Sequence, residues 1–308
     1  MTAATTDNVL TTSVSLLGGL FDEVTLVELV SRCPREVQER FTTYVAEALF
    51  FRSFFRADLE RLEPGSHVVE IGSGIGLLAR LIAADGFAVT AFEPQAAGFG
   101  QMHQLSEMLQ RCWRGEQCHV TFVNERFEPA AGDDQRASLI IGVHVIEHVR
   151  EPLDLIVGAT RSLTATGAAR FICPNYAFPY EPHFDVPTFF NKRLTGRLLR
   201  AVIDRSSIED ARRFWDDLSW PTTHALRRSL HAVGVEHQFS RAALIAYMSR
   251  LDEAAFVQRK HSVFRVARVV KPLFETAARH APIAIIPIID LTTRLAASFE
   301  ACTEGSRL

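Results

Sequence analysis

The chain carries two hydrophobic rhythms. Between residues 34 and 62 the apolar positions Phe41, Val45, Leu49, Phe51, Phe54, Phe55 and Leu59 recur at helical spacing. Pro34 suits the first turn of that helix, and LEPG at 62–65 is a turn signal. From His67 onward short apolar runs take over: HVVEI (67–71), FAVTAFE (87–93), HVTFVN (119–124), ASLIIGV (137–143) and ARFIC (169–173), the last preceded by an expected turn, TATG, at 164–167. Helical patterns separate the runs at 77–86, about 99–113 and about 151–163. Strands alternating with helices of this length predict an α/β fold, a doubly wound and mostly parallel sheet with helices on both faces.

After Pro174 the rhythm breaks. Residues 174–220 combine Pro, aromatic and His residues with a basic helical stretch near 191–205. A helix is expected at 222–234, opened by a Thr cap and closed by Gly234, and a sixth strand at 235–240. The pattern of 241–280 is mostly helical; 261–266 and 284–294 are both candidates for a seventh strand. Residues 1–15, rich in Thr and Ser, are expected to fray. The organisation read from the chain is an N-terminal helical segment (1–62), a central α/β domain (63–240, with an insertion at 174–220) and a C-terminal, mostly helical cap (241–308).

Composition narrows the class. With 308 residues, 47% hydrophobic and 22% charged, the chain is neither disordered nor collagenous. A net charge of −3 lacks the basic footprint of a nucleic-acid binder. Cys33, Cys112, Cys118, Cys173 and Cys302 are odd in number and scattered, which reads as reduced thiols in a cytosolic protein. No basic-then-apolar leader opens the sequence, and no apolar run reaches the ~18 residues of a membrane span.

The chemistry starts at VVEIGSGIG (68–76). A strand ends in Glu70, and Gly72, Gly74 and Gly76 follow at alternate positions around Ser73. Such glycines admit close backbone approach, and the next helix points its N-terminal N–H groups at the same spot. A dinucleotide fingerprint needs a third Gly where Leu77 stands, and no lysine completes a P-loop. Glu93, followed by Pro94, ends the second strand 17 residues after Gly76, where a doubly wound sheet places a carboxylate for ribose hydroxyls.

These residues bring a family into view. VVEIGSGIG, AFEP (91–94), LIIGVHVIEHVREP (139–152) and LTATGAARFICPN (163–175) together resemble the class I S-adenosylmethionine-dependent methyltransferases. The resemblance implies a Rossmann-like seven-stranded sheet and S-adenosyl-L-methionine as cofactor. It implies that Glu70, Gly72, Ser73, Gly74 and Gly76 hold the methionine end and that Glu93 and Pro94 lie at the ribose. Asn124, Glu125, Arg126 and Phe127 fall at the adenine edge, and Val143 and His144 near the sulfonium. ATGA (165–168) stands where the family carries a pair of glycines in a turn. A nicotinamide-dependent oxidoreductase on the same sheet and a non-catalytic cofactor-binding scaffold are the competing readings.

Two segments add candidate chemistry. HVIEH (144–148) spells the H-x-x-E-H of inverted zinc proteases, but it follows a buried strand; no metal is expected there, and His148 is expected in the core. PNYAFPYEPHF (174–184), after the fifth strand, supplies Tyr180, Glu181 and His183 to the acceptor side that the resemblance implies. The expected reaction is methylation, at oxygen, of a small molecule or of a glycan- or lipid-linked acceptor. A histidine, His144 or His183, would remove the hydroxyl proton while Tyr180 and Glu181 orient it. KRLTGRLLR (192–200), ARR (211–213), RVARVVK (265–271) and the apolar 281–291 suggest peripheral membrane contact as a second possibility to a cytoplasmic location.

Overall fold

The computed structural model describes residues 3–94, 100–129, 132, 136–206, 208, 210–250 and 280–296. The chain divides into two compact units, residues 1–127 with 137–139, and residues 128–136 with 140–308.

The first unit opens on three helices, α1 (Ala3–Ser15), α2 (Glu23–Ser31) and α3 (Arg35–Phe54), with a short α4 (Arg56–Leu59). Residues 3–15, expected to fray, form a helix. Leu10 and Val14, one turn apart, are buried, and α1 packs on α2 and α3, so tertiary burial outweighs the weak helix propensity of its Thr and Ser residues. Asp22 caps α2 by accepting the Thr25 N–H at 3.1 Å. Along α3 the residues Val37, Phe41, Val45 and Ala48 form the buried stripe.

Strand β1 (His67–Ile71) leads through the glycine loop into α5 (Leu77–Ala84), then β2 (Ala88–Phe92), α6 (Gly100–Cys112) and β3 (Val120–Val123). Both pairings are parallel, with Ile71 opposite Phe92 and Phe92 opposite Val123, so the three carboxyl ends lie level. Helix α5 is buried from Leu77 to Ala83, Arg80 included. That guanidinium makes its hydrogen bonds without a carboxylate, and its Nε has no partner among the described residues. It donates to the carbonyls of Ile75 and Gly76 and to Gln110 Oε1 (3.3, 3.0 and 2.8 Å) and lies 4.3 Å over the Phe122 ring.

In chain order there follow β4 (Ala137–Val143), α7 (Pro152–Arg161), β5 (Leu163–Pro174), β6 (Tyr180–Glu181), β7 (Val186–Pro187), α8 (Lys192–Leu198), α9 (Arg200–Asp204), α10 (Ala211–Asp217), α11 (Thr223–Ala232), β8 (Glu236–Phe239), α12 (Ala242–Ser249) and β9 (Ile288–Arg294). The seven-stranded sheet has the order β3-β2-β1-β4-β5-β9-β8, and β6 pairs with β7 apart from it.

One expectation needs correction here and two are refined. TATG is not a turn: residues 163–174 form one strand, and Gly167 is absent from the positive-φ residues, so the backbone runs extended through it. The basic stretch near 191–205 is two helices, the first capped by Asn191, which accepts the Leu194 N–H at 2.9 Å. The seventh strand is 288–294, antiparallel to both β5 and β8. The other candidate, 261–266, lies outside the described residues, as do RVARVVK and most of the expected helix at 241–280. The apolar segment 281–291 is explained by the sheet: Ile286, Ile289 and Leu291 are buried. Asp290, also buried, ties the strand down through Arg170 at 2.9 Å, Ser240 Oγ at 2.7 Å and the Ala243 N–H at 3.1 Å. Among the described residues no helix is long and apolar enough to cross a membrane.

Candidate functional site

In the first unit the site residues gather at the level carboxyl ends of β1 and β2. The N–H groups of Gly72 and Ser73 donate to the Phe92 carbonyl at 2.8 and 3.1 Å, which splices the loop onto β2. Gly72, Gly74 and Gly76 all have positive φ, +72°, +57° and +74°. At Gly76 a Cβ would fall 2.5 Å from the Phe122 ring, so this glycine serves packing as well as the turn. At Gly74 a Cβ would meet only Met102 Cε, at 3.4 Å.

Glu93 receives the Gly74 N–H on Oε2 at 2.7 Å and so joins the two halves of the loop region. Burial raises its pKa, against the Gly74 hydrogen bond that lowers it. Glu70 is buried, and its pKa is pushed up to about 8, chiefly by desolvation and secondarily by Glu93. Its Oε2 and the buried Ser73 Oγ have no hydrogen-bond partner among the described residues. Two orphaned polar atoms beside a glycine cradle and a carboxylate match a ligand with an ammonium, a carboxylate and a ribose diol, which is what S-adenosylmethionine offers. Pro94 follows directly. Asn124, Glu125 and Arg126 are exposed after β3, and Phe127 is half-buried with its ring 5.3 Å from Phe92, edge to face. Tyr44 on α3 is a residue the sequence reading omitted. It lies within the electrostatic reach of Glu93, and burial raises its pKa. No motif in the sequence marks it: it is one polar-tipped residue on an amphipathic helix.

In the second unit β4 ends at Val143 and the backbone turns sharply. His144 has φ +53°, a left-handed conformation uncommon for a residue with a bulky side chain. Its N–H donates to the Ile172 carbonyl at 2.7 Å. The exposed ring stands between Glu147, with Nδ1 3.4 Å from Oε1, and the Tyr247 hydroxyl, 3.1 Å from Nε2. A single 3-10 turn, Ile146–His148, follows and is pinned by Ser219, which donates to the Glu147 carbonyl at 2.8 Å and the Ile146 carbonyl at 2.9 Å. Glu147 is fully buried. Burial pushes its carboxyl up, but His144 and His148 outweigh this and hold its pKa below the usual value.

His148 is not in the core. It is open to solvent, its ring edge-on to His183 with centroids 5.0 Å apart and close to Phe214 at 5.4 Å. The surrounding protein disfavours its charged form and lowers its pKa. The 174–184 segment brings Glu181 beneath these rings. Glu181 is fully buried; it accepts from His183 Nδ1 (2.6 Å), the Phe184 N–H (2.7 Å) and the Tyr176 hydroxyl (3.3 Å). Tyr180 does not join them, because its hydroxyl donates to Asp185. Tyr176 stacks on Trp220 at 4.8 Å, and the two border an open groove of about 400 Å³ with Asn191, Lys192 and Thr222. The expected set Glu181–His183 is therefore brought together, with His144 in a dyad of its own and Tyr180 turned elsewhere. Glu147, Tyr176 and Tyr247 were missed, and only Glu147 had a signal, the H-x-x-E-H spacing.

Comparisons with known proteins agree with this frame. A family model described as "Methyltransferase domain" matches residues 35–236. The chain is 31% identical over 255 residues to "Uncharacterized protein Rv1509" of Mycobacterium tuberculosis (strain ATCC 25618 / H37Rv), covering 80% of this chain and 84% of that one. Among solved structures it is similar to mycolic acid cyclopropane synthase CmaA1 complexed with SAH and CTAB (TM-score 0.45, 16% identity, covering 82% of this chain and 85% of that one). Another is the plantazolicin methyltransferase BpumL in complex with SAH (TM-score 0.43, 12% identity, covering 94% and 98%). With the family model spanning more than half of the chain, the protein belongs to the methyltransferase-domain family: it is a class I transferase whose methyl donor is S-adenosylmethionine, not the nicotinamide enzyme that a doubly wound sheet also allows.

Proposed function

We propose that the protein transfers the methyl group to a hydroxyl oxygen of a small molecule or of a glycan- or lipid-linked acceptor, with His144 as general base. When bound, S-adenosylmethionine supplies an electrophilic methyl on a positively charged sulfur. Gly72 and Gly74 admit the methionine end, and Glu93, already bonded to Gly74 through Oε2, keeps Oε1 for the ribose. The buried Glu147 carboxylate, 3.4 Å from His144 Nδ1, favours the tautomer protonated at that nitrogen, leaving Nε2 as the basic one. His144 Nε2 would take the hydroxyl proton as the acceptor oxygen receives the methyl group that the bound cofactor would supply, its sulfur leaving as the neutral thioether. The observation that carries this reading is the exposed imidazole held in a strained backbone conformation between a buried carboxylate and a tyrosine hydroxyl.

The test has two stages. Purified protein is screened with labelled S-adenosylmethionine against hydroxylated sugars and lipids, and the methylated atom of any product is identified. His144→Ala is then compared on the acceptor found. Loss of roughly 10²–10⁴ in kcat with cofactor affinity unchanged is expected of a general base. A methyl group on nitrogen or carbon, or a kcat within threefold of wild type, sinks the proposal.

A further inference from the structure

Two carboxylates of the second unit, Glu147 and Glu181, are fully buried, and neither is paired with Lys or Arg among the described residues. Buried carboxylates are ordinarily paired with a cation or bound to a metal. Here histidines surround them. Glu181 is satisfied by three donors, but Glu147 receives no hydrogen bond of ordinary geometry on either oxygen. His144 Nδ1 stands on the Oε1 side of Glu147, at 3.4 Å. One ligand atom each from Glu147, His148 and His183 lies within 4.8 Å of the others. Because Nδ1 of His183 is engaged by Glu181, Nε2 is the lone pair that remains to it.

We infer that Glu147, His148 and His183 form a binding site for a divalent transition-metal ion, with Glu181 positioning His183 from behind. Two imidazoles and one carboxylate are a donor set suited to Zn²⁺, Co²⁺ or Fe²⁺ and ill suited to Mg²⁺ or Ca²⁺. A tetrahedral ion with ligands at 2.0–2.1 Å keeps them roughly 3.3 Å apart, so the cluster must contract by up to about 1.5 Å. His148 is the exposed member of the three. The carboxylate behind His183 is the usual partner that sets the tautomer and orientation of a metal-bound imidazole. Three protein ligands leave coordination positions open for an oxygen donor such as water or an alcohol. The inference does not depend on which acceptor the enzyme methylates.

The test uses the full chain stripped with a chelator and titrated with Co²⁺, read by visible ligand-field absorption and by equilibrium dialysis. Wild type is expected to bind one ion per chain and to develop those bands. His148→Ala, an exposed position, is expected to weaken binding at least about tenfold while the metal-free protein keeps its circular dichroism and unfolding midpoint. Glu181→Gln is expected to weaken it about 10–100-fold. Absence of stoichiometric binding by folded wild type overturns the proposal. So does a change of less than tenfold in His148→Ala, because the ion then sits elsewhere. Neither readout requires turnover, so failure of the metal site and failure of the O-methylation reading are separable.

Discussion

The two units hold left-handed backbone in different ways. In the first, the positive-φ residues among those described are Gly18, Gly19, Gly65, Gly72, Gly74, Gly76 and Gly86. In the second they include His144, Asp185, Phe190 and Asp210, all with a Cβ. For a glycine this conformation is nearly free, whereas for other residues it costs roughly 1–2 kcal/mol each. The cofactor loop is thus a relaxed surface, and the acid–imidazole region is strained at His144 and Asp185, the positions that aim a histidine and receive the Tyr180 hydroxyl. On the proposed assignment, cofactor recognition draws on shape, and chemistry on the acceptor on a side chain held where the backbone resists it.

The largest effect expected to break this contrast comes from Gly76→Ala. It adds left-handed strain and a Cβ 2.5 Å from Phe122, and should lower stability by about 2–5 kcal/mol in urea unfolding. Gly65→Ala, where the Cβ meets nothing within 4 Å, should show the strain alone. Next is Glu93→Ala. Losing charge-assisted hydrogen bonds of about 1.5–3 kcal/mol should weaken S-adenosylhomocysteine binding by roughly 10–100-fold in calorimetry.

Glu70→Gln addresses pH. Folded Glu70 keeps its proton up to about pH 8, while the unfolded chain releases it near the ordinary value of 4.5. The unfolded state therefore binds fewer protons in that window, and this residue makes stability fall as pH rises through it, by at most about 1.4 kcal/mol per pH unit. Stability of Glu70→Gln relative to wild type should rise over the same window and level off on either side. The smallest effect has the opposite sign to Gly76→Ala: His144→Gly should relieve strain and raise stability by about 1 kcal/mol while removing the proposed base. A destabilised His144→Gly would show that the ring's contacts outweigh its backbone strain.

What the sequence reveals follows from the same contrast. The glycine loop is a contiguous string after a strand, so the close-approach turn at Gly72, Gly74 and Gly76 is readable from spacing, and Glu93 at the end of the next strand bonds back to Gly74. The acid–imidazole cluster joins residues 144–148 to 176–184, and no local pattern announces that His148 will face His183 across that gap. His148 was expected in the core because it follows a buried strand; one 3-10 turn, held by Ser219, carries it to the surface instead. TATG was expected to turn because Gly and Thr often do, yet Gly167 here sits within a strand interior. The partner of β5 was equally hidden, since β9 arrives from more than a hundred residues away.

That last arrangement bears on biosynthesis. Strand β9 lies between β5 and β8, with Asp290 clasping Arg170, Ser240 and the start of α12. On a ribosome, every residue through β8 is made before the strand that separates β5 from β8 exists. Until residues 288–294 emerge, β5 presents a bare hydrogen-bonding edge and Arg170 lacks its carboxylate. The nascent chain has a long interval in which this half of the sheet must avoid pairing with a neighbour, and its completion is a single late insertion.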